Sequence, residues 1–312
     1  MKFKKPKFWD YSRVSFWSII LYPFSIIFLL VSSLLKISKF QKKFKVPVIC
    51  IGNIYLGGTG KTPLVLEVFK IVKSNGKNPG IIKKGYDYLY DEIQMLQKVG
   101  KTFVQKDRKK AIDSLISSGH NVAILDDGFQ DYSINKSFSI LCFNSRQLIG
   151  NGLIIPSGPL RESISSIKRA DCIVINGDKN LQFESSINKI NKEIKIFYSN
   201  YKILNLNSFK NKKFIAFAGI GNPSNFFGLL KENNIDVIKS FSFPDHHNYS
   251  NKELDNIKKI AIENQAIVIT TEKDYCRLNE NSKSICKFVE IDLEIENKNN
   301  FINFHLYFFI YF

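Results

Sequence analysis

The chain is 312 residues long, with 45 basic against 28 acidic side chains and a formal net charge of +17. That length buries a sizeable core and points to two domains, while the charge balance points to nucleic acid, an anionic membrane or phosphorylated substrates. Most of the charge is lysine scattered along the chain, without the aromatic interleaving and arginine patches of a nucleic-acid binder, so no nucleic-acid partner is expected.

Between Arg13 and Lys36 lie 22 residues without a charge, VSFWSIILYPFSIIFLLVSSLL. At ~1.5 Å per residue such a helix is long enough to cross a bilayer. No A-x-A site follows and the apolar run is too long for a secretory signal. Ser15, Ser18, Tyr22, Ser25 and Ser32 recur at helical spacing, so one face carries a polar stripe. The helix therefore spans the membrane or lies in its interface, with Trp17 and Tyr22 near headgroups; a buried core helix is the competing reading. Basic residues on both flanks suit anionic lipid on the cytoplasmic side, so membrane lipid is an expected partner.

Val46 to Thr62, VPVICIGNIYLGGTGKT, runs from a β-branched strand into a glycine-rich turn. Strand, loop and helix in that order wrap backbone N–H groups around a polyphosphate. Gly57, Gly58, Thr59, Gly60, Lys61 and Thr62 would hold ATP, with Lys61 on the terminal phosphates and the Thr62 hydroxyl on Mg²⁺. Tyr55 stands where the first glycine of G-x-x-x-x-G-K-T belongs. A ligand-free tight turn is the blander alternative.

Further strands are expected at 46–52, 78–83, 121–125, 138–143 and 172–176, and helices at 61–75 and 106–118. Residues 178–210 are polar and irregular, a plausible linker. A second unit follows, with strands at 213–218, 236–241 and 266–270 and helices from 224 and over 252–263. The aromatic tail FINFHLYFFIYF reads equally as an edge strand or a membrane-touching patch. The expected fold is α/β: a P-loop NTPase-like parallel sheet core with a second, smaller α/β domain and an N-terminal membrane helix. Its divisions are 1–40 for the anchor, 41–205 for the P-loop core and 206–312 for the smaller domain. Cys50, Cys142, Cys172, Cys276 and Cys286 show no C-x-x-C and no metal-ligand spacing, and read as reduced core thiols in a cytosolic compartment.

NVAILDDGFQD places Asp126 and Asp127 at the carboxyl end of a buried strand, where Mg²⁺ and a reacting water or hydroxyl are managed; a solvated turn also tolerates D-D-G. FPDHHNY carries Asp245, His246 and His247, an imidazole beside a carboxylate that suits proton acceptance, or else a helix cap with packed histidines. In IIPSGPLRE, Arg161 and Glu162 read as an anion clamp or an ordinary ion pair. Asp91 and Glu92 in YDEIQML stand at a helix start, where carboxylates also favour the dipole. GIGNPS is weak as a dinucleotide signature.

Taken together, GNIYLGGTGKTP, DDGFQ, LIIPSGPLRE, AGIGNP, FPDHHNY and TTEKD occur in the order found in the tetraacyldisaccharide 4'-kinases of lipid A (lipopolysaccharide) biosynthesis, and the chain resembles that family from about residue 10 to 295. The resemblance implies transfer of the ATP γ-phosphate to the 4'-hydroxyl of tetraacyldisaccharide 1-phosphate by a protein at the cytoplasmic face of the inner membrane. It implies a catalytic set of Asp91, His246, Lys61 and Asp127. Asp91 and His246 act there as a base dyad, Glu92, Arg161, Glu162 and Asp245 lie toward substrate, and Thr62, Asp126 and Asp127 lie near Mg²⁺. This chain departs from the family's pattern with Lys83-Lys84-Gly85-Tyr86 in place of S-R-G-Y, Ile93 in place of a proline, and Asp131 in place of a common histidine.

A membrane-associated P-loop ATPase switch is the first rival, but its signature lysine position is Leu56. A GTPase needs N/T-K-x-D, and Lys273 and Asp274 are adjacent in TTEKD. A nucleotide-gated adaptor would need neither His246 nor Asp127.

Overall fold

The computed structural model describes residues 5–11, 13–37, 40–86 and 90–310. In chain order the elements are α1 (Phe16–Ile37), β1 (Val48–Gly52), α2 (Lys61–Ser74), β2 (Pro79–Lys84), α3 (Tyr90–Val99), β3 (Thr102–Gln105), α4 (Arg108–Ser117), β4 (Val122–Asp126), β5 (Phe138–Asn144), β6 (Cys172–Asn176), α5 (Leu181–Ile190) and β7 (Lys195–Ile203). They continue with β8 (Lys213–Ala218), α6 (Pro223–Glu232), β9 (Asp236–Ser242), α7 (Asn251–Glu263), β10 (Ile267–Thr271), α8 (Glu272–Tyr275), α9 (Glu280–Lys283), β11 (Cys286–Val289), β12 (Ile291–Ile295) and α10 (Lys298–Ile310).

Two compact units emerge, and neither is contiguous in sequence. The smaller comprises Tyr86–Lys98 with Tyr201–Asp292; the larger runs to Gly85, resumes over Val99–Asn200 and returns from Leu293. Three consecutive segments were the expectation from sequence. The difference arises because α3 joins the smaller unit and the last strand and helix rejoin the larger.

The larger unit is built on an eight-stranded sheet in the order β12-β7-β6-β5-β1-β4-β2-β3. Its central strands β1, β4, β5 and β6 are buried at every residue. That is why they read as unbroken apolar runs rather than alternating ones. β1 pairs in parallel with β4 and β5, with Ile51 opposite Asp126. The smaller unit has a four-stranded parallel sheet, β11-β10-β8-β9, with Phe214, Ala216, Ile269 and Leu230 in one core layer and Ile215, Phe217 and Ile257 in the other.

Two expectations need correction. Residues 178–210 are not a linker: Asn180 caps α5 by accepting from Phe183 N–H, Phe183 and Ile187 are buried, and β7 joins the main sheet. The polar outer face of α5 hid its three-to-four-residue periodicity. The tail is a helix rather than an edge strand; Phe301 packs edge-on against Phe197 at 5.0 Å, and Lys298 Nζ meets the buried Glu67 of α2 at 2.6 Å.

α1 turns the serines of its polar stripe inward, while Tyr22 is exposed. Ser18 and Ser25 are buried; Ser25 Oγ donates to the Ile154 carbonyl at 2.8 Å, and Asn151 Nδ2 donates to Ser18 Oγ at 3.0 Å. The apolar side faces outward, with Phe16 72%, Ile19 63%, Leu30 61% and Leu34 68% exposed. A buried core helix is thereby excluded. At the far end of α1, Lys36 Nζ reaches Glu162 at 3.2 Å.

Candidate functional site

The phosphate-binding turn follows β1 and opens α2. Gly57 has φ of 146° and Gly60, at the helix N-cap, φ of 93°, both in territory where a Cβ is strained. Asn53 is wholly buried beneath the turn, and its Nδ2 donates to the Tyr55 carbonyl at 2.7 Å and to Thr59 Oγ1 at 3.0 Å. The turn is thus shaped by the protein itself, and the N–H groups at the start of α2 remain for an anion. Tyr55, in place of the first glycine, is buried and donates its hydroxyl hydrogen to Asp10.

The carboxylates after β4 lie beside this turn because β1 and β4 are neighbours. Asp127 has φ of 56°, an uncommon backbone for a non-glycine residue that concentrates at functional sites. Arg161 Nη1 donates to both Asp127 oxygens at 3.0 Å, Lys61 Nζ lies 3.8 Å from Oδ1, and Arg108 Nη2 donates to the Asp127 carbonyl at 2.8 Å. Burial opposes charge on Asp127, but Lys61 and then Arg161 hold its carboxyl well below the usual carboxylate range. Arg161 arrives there because Tyr55 bridges Leu160 and Arg161 N–H donates to the Ile54 carbonyl at 2.7 Å.

Asp126 behaves differently from its neighbour. It is buried, and Lys83 Nζ from the adjacent strand β2 sits 2.5 Å from its Oδ2. The other oxygen, Oδ1, is buried without a hydrogen-bond partner. Among the described residues no group of three or more histidine, cysteine or acidic side chains converges as a metal centre. Thr62, Asp126 and Asp127 nevertheless offer hard oxygen donors of the kind Mg²⁺ takes while retaining several waters. The unpartnered Oδ1 fits that chemistry.

Glu162 is engaged within the larger unit. Tyr132 Oη donates to it at 2.6 Å, Arg169 pairs with its other oxygen, and Lys36 adds a third partner. The guanidinium of Arg169 also lies over Phe129 at 4.3 Å and Tyr132 at 4.7 Å. Glu162 therefore ties Lys36, at the end of α1, to Tyr132 and Arg169.

In the smaller unit, α3 and the segments after β9 and β10 bring distant residues together. His246 Nδ1 lies 3.7 Å from Asp91 Oδ1, and His246 Nε2 is 3.8 Å from Asp245. Asp91 is 1% exposed; burial works against its charge, but His246, Lys273 and Arg277 keep its carboxyl below the ordinary value. Lys273 Nζ is 3.0 Å from Glu92 and 3.4 Å from Asp245, and despite burial its ammonium is held above the usual range by Glu92, Asp245 and Asp91. His246 has φ of 54°, like Asp127. His247 stacks on Phe243 at 4.8 Å and contacts Glu253 at 3.0 Å. Asp245 does not cap the following helix; Ser250 does, in a capping box with Glu253.

Sequence reasoning missed three groups. Lys83 was visible only as a departure from a pattern. Arg277 follows TTEKD and reaches Asp91 with Nε at 3.0 Å. Asp274, fully buried, accepts from Gly219 N–H at 3.0 Å, Tyr249 Oη at 2.8 Å and Thr271 Oγ1 at 2.7 Å. A Cβ on Gly219 would stand 2.6 Å from Tyr249 Oη, so AGIGNP and TTEKD are two halves of one packing arrangement. The dispersed cysteines are unpaired, and burial pushes Cys50 and Cys142 up to about 12, which leaves both inert.

A sequence profile of the tetraacyldisaccharide-1-P 4'-kinase family, LpxK, matches residues 17–306. The chain is 41% identical to the tetraacyldisaccharide 4'-kinase of Pelagibacter ubique, covering 97% of each. It is 32% identical to that of Rickettsia canadensis, covering 96% of this chain and 95% of the relative. Its fold is similar to the crystal structure of LpxK from Aquifex aeolicus in complex with ATP, with a TM-score of 0.70, 26% identity, and 94% and 99% of the two chains covered. A family match across nearly the whole length, on top of a phosphate turn whose lysine meets a strand-end carboxylate, places the chain in the tetraacyldisaccharide-1-P 4'-kinase family.

Proposed function

We propose that the chain transfers the γ-phosphoryl group of ATP to the 4'-hydroxyl of tetraacyldisaccharide 1-phosphate, in lipid A biosynthesis at the cytoplasmic face of the inner membrane. The observation that carries this reading is the family match over residues 17–306. The turn Gly57–Thr62 binds the triphosphate through backbone N–H groups, and Lys61 offsets charge on the transferring group. Mg²⁺, held by Thr62, Asp126 and Asp127, supplies further charge neutralisation when bound. Arg161 keeps Asp127 ionised and oriented. A sugar hydroxyl is a poor nucleophile until a base takes its proton; His246, beside Asp91, is that base, with Glu92 and Asp245 setting the charge around it. The outward apolar face of α1 rests in the bilayer interface, since its serine stripe is occupied by protein. Membrane lipid, and no nucleic acid, is the surface partner.

Purified full-length protein with ATP, Mg²⁺ and the disaccharide 1-phosphate should yield a lipid heavier by one phosphate group in mass spectrometry. ATP hydrolysis with unmodified lipid would instead favour the ATPase switch.

A further inference from the structure

Tyr55 occupies the place of the first glycine in the phosphate-turn pattern, and its side chain makes contacts that no glycine could. Its carbonyl is held by Asn53 Nδ2 and its backbone bridges Leu160. The ring packs against the turn: a Cβ on Gly57 would stand 3.3 Å from Tyr55 Cε1. At the far end of the ring the hydroxyl donates to Asp10 Oδ1 and accepts from Lys5 Nζ at 3.0 Å. Lys5 Nζ donates in turn to the same Asp10 oxygen at 2.8 Å.

The acceptor is fixed independently of the phenol. Asp10 closes a short 3-10 turn, Lys7–Asp10, and Trp9 within it is buried. Trp9 Nε1 donates to the Pro156 carbonyl at 3.0 Å, and Asn151 N–H donates to the Trp9 carbonyl at 3.0 Å. The segment just ahead of α1 is thus seated on the loop that leads to Arg161, and from there it reaches the phosphate turn through one phenol. Burial and then Asp10 push that phenol above its usual range, so it stays a donor. A glycine-rich turn has many backbone states open to it, only some of which cradle a triphosphate. Each restraint that favours those states tightens binding, because a ligand is taken up only by the competent fraction.

We propose that Tyr55 is a positioning residue for ATP: its phenol, held by Asp10, keeps the phosphate turn in its triphosphate-binding shape. The proposal rests on the kinase reading only for what the turn holds. In full-length protein, Tyr55→Phe keeps the ring and loses the hydroxyl. It should raise both the Kd of a non-hydrolysable ATP analogue and the KM for ATP about tenfold. The kcat at saturating ATP should stay within about twofold of wild type, the split expected when only binding is lost. Asp10→Ala should act alike, and the double variant should be no worse than either single change, since both break one link. Asp10→Asn keeps an acceptor and should return most of the affinity. Amide exchange over residues 57–62 of the nucleotide-free protein should quicken in Tyr55→Phe and in Asp10→Ala. The Asp10 side chain is 40% exposed, so Asp10→Ala is the variant to read if Tyr55→Phe does not fold. Analogue binding that matches wild type in whichever variant folds would overturn the proposal, as would a fall in kcat with KM unmoved, or additive losses in the double variant. Wild-type protein that binds the analogue, with the expected losses in the variants, yet never phosphorylates the lipid would sink the kinase reading alone.

Discussion

Lys83 Nζ lies 2.5 Å from Asp126 Oδ2, with both side chains closed off from solvent at the carboxyl ends of neighbouring strands. A carboxylate in that position has no water to fall back on. Lys83→Met should destabilise the protein by about 3–5 kcal/mol, because it strands a buried charge. Combining it with Asp126→Asn should cost less than the single change, since removing both partners leaves no ion behind. Urea unfolding of wild type, single and double variants measures the difference.

His246→Ala should lower kcat about 10²–10⁴-fold, the range for loss of a general base, with ATP binding changed little. His246 belongs to the smaller unit and the phosphate turn to the larger. Calorimetric titration with a non-hydrolysable ATP analogue, beside the lipid assay, separates the two effects. Turnover close to wild type would exclude His246 as the base.

The acidic groups set a pH signature. The carboxyl of Asp91 is depressed in the folded state, so its stabilising contribution is fully present above the unfolded carboxylate value of about 3.9 and is lost as pH falls through the folded one. The gap in unfolding free energy between wild type and Asp91→Asn should be flat from about pH 7 to about pH 5, and should close below about pH 4. Lys273 has the opposite sense: its ammonium is held above its ordinary value. Its contribution should persist up to about pH 10 and fade above that. A gap that widened on acidification would contradict the assignment for Asp91.

The two sides of α1 should respond separately. Leu30→Asp, on the outward side, should reduce flotation with anionic vesicles, since a charge there opposes insertion in the interface. Ser25→Ala removes the donor to Ile154 and the partner of Ser157; it should cost about 1–3 kcal/mol of stability while vesicle binding is retained.

Much of the larger sheet was legible because buried parallel strands have an unmistakable composition: the runs at β1, β4, β5 and β6 contain almost no competing pattern. The phosphate turn was legible for a related reason, since few sequences put Gly-Lys-Thr between a strand and a helix. Asp91 and His246 were another matter. Only the family resemblance suggested pairing two residues so distant along the chain, because nothing local in YDEIQML marks a long-range partner. Arg277 and Asp274 stayed hidden inside TTEKDYCR for the same reason: their importance lies in what they touch across the fold. Lys83 was conspicuous as an oddity, but a lysine within a strand gives no hint that a neighbouring strand ends in its counter-ion.

The last stretch of chain closes the sheet that the first stretch began: β12 completes the edge beside β7, and Lys298 then fastens onto α2. A ribosome therefore releases the final edge strand only after everything between has been made. Stop codons or tags placed just beyond Asp292 should unseat the nucleotide-binding half rather than trim a dispensable tail, and cutting the gene at residue 205 should yield two fragments, neither able to fold alone.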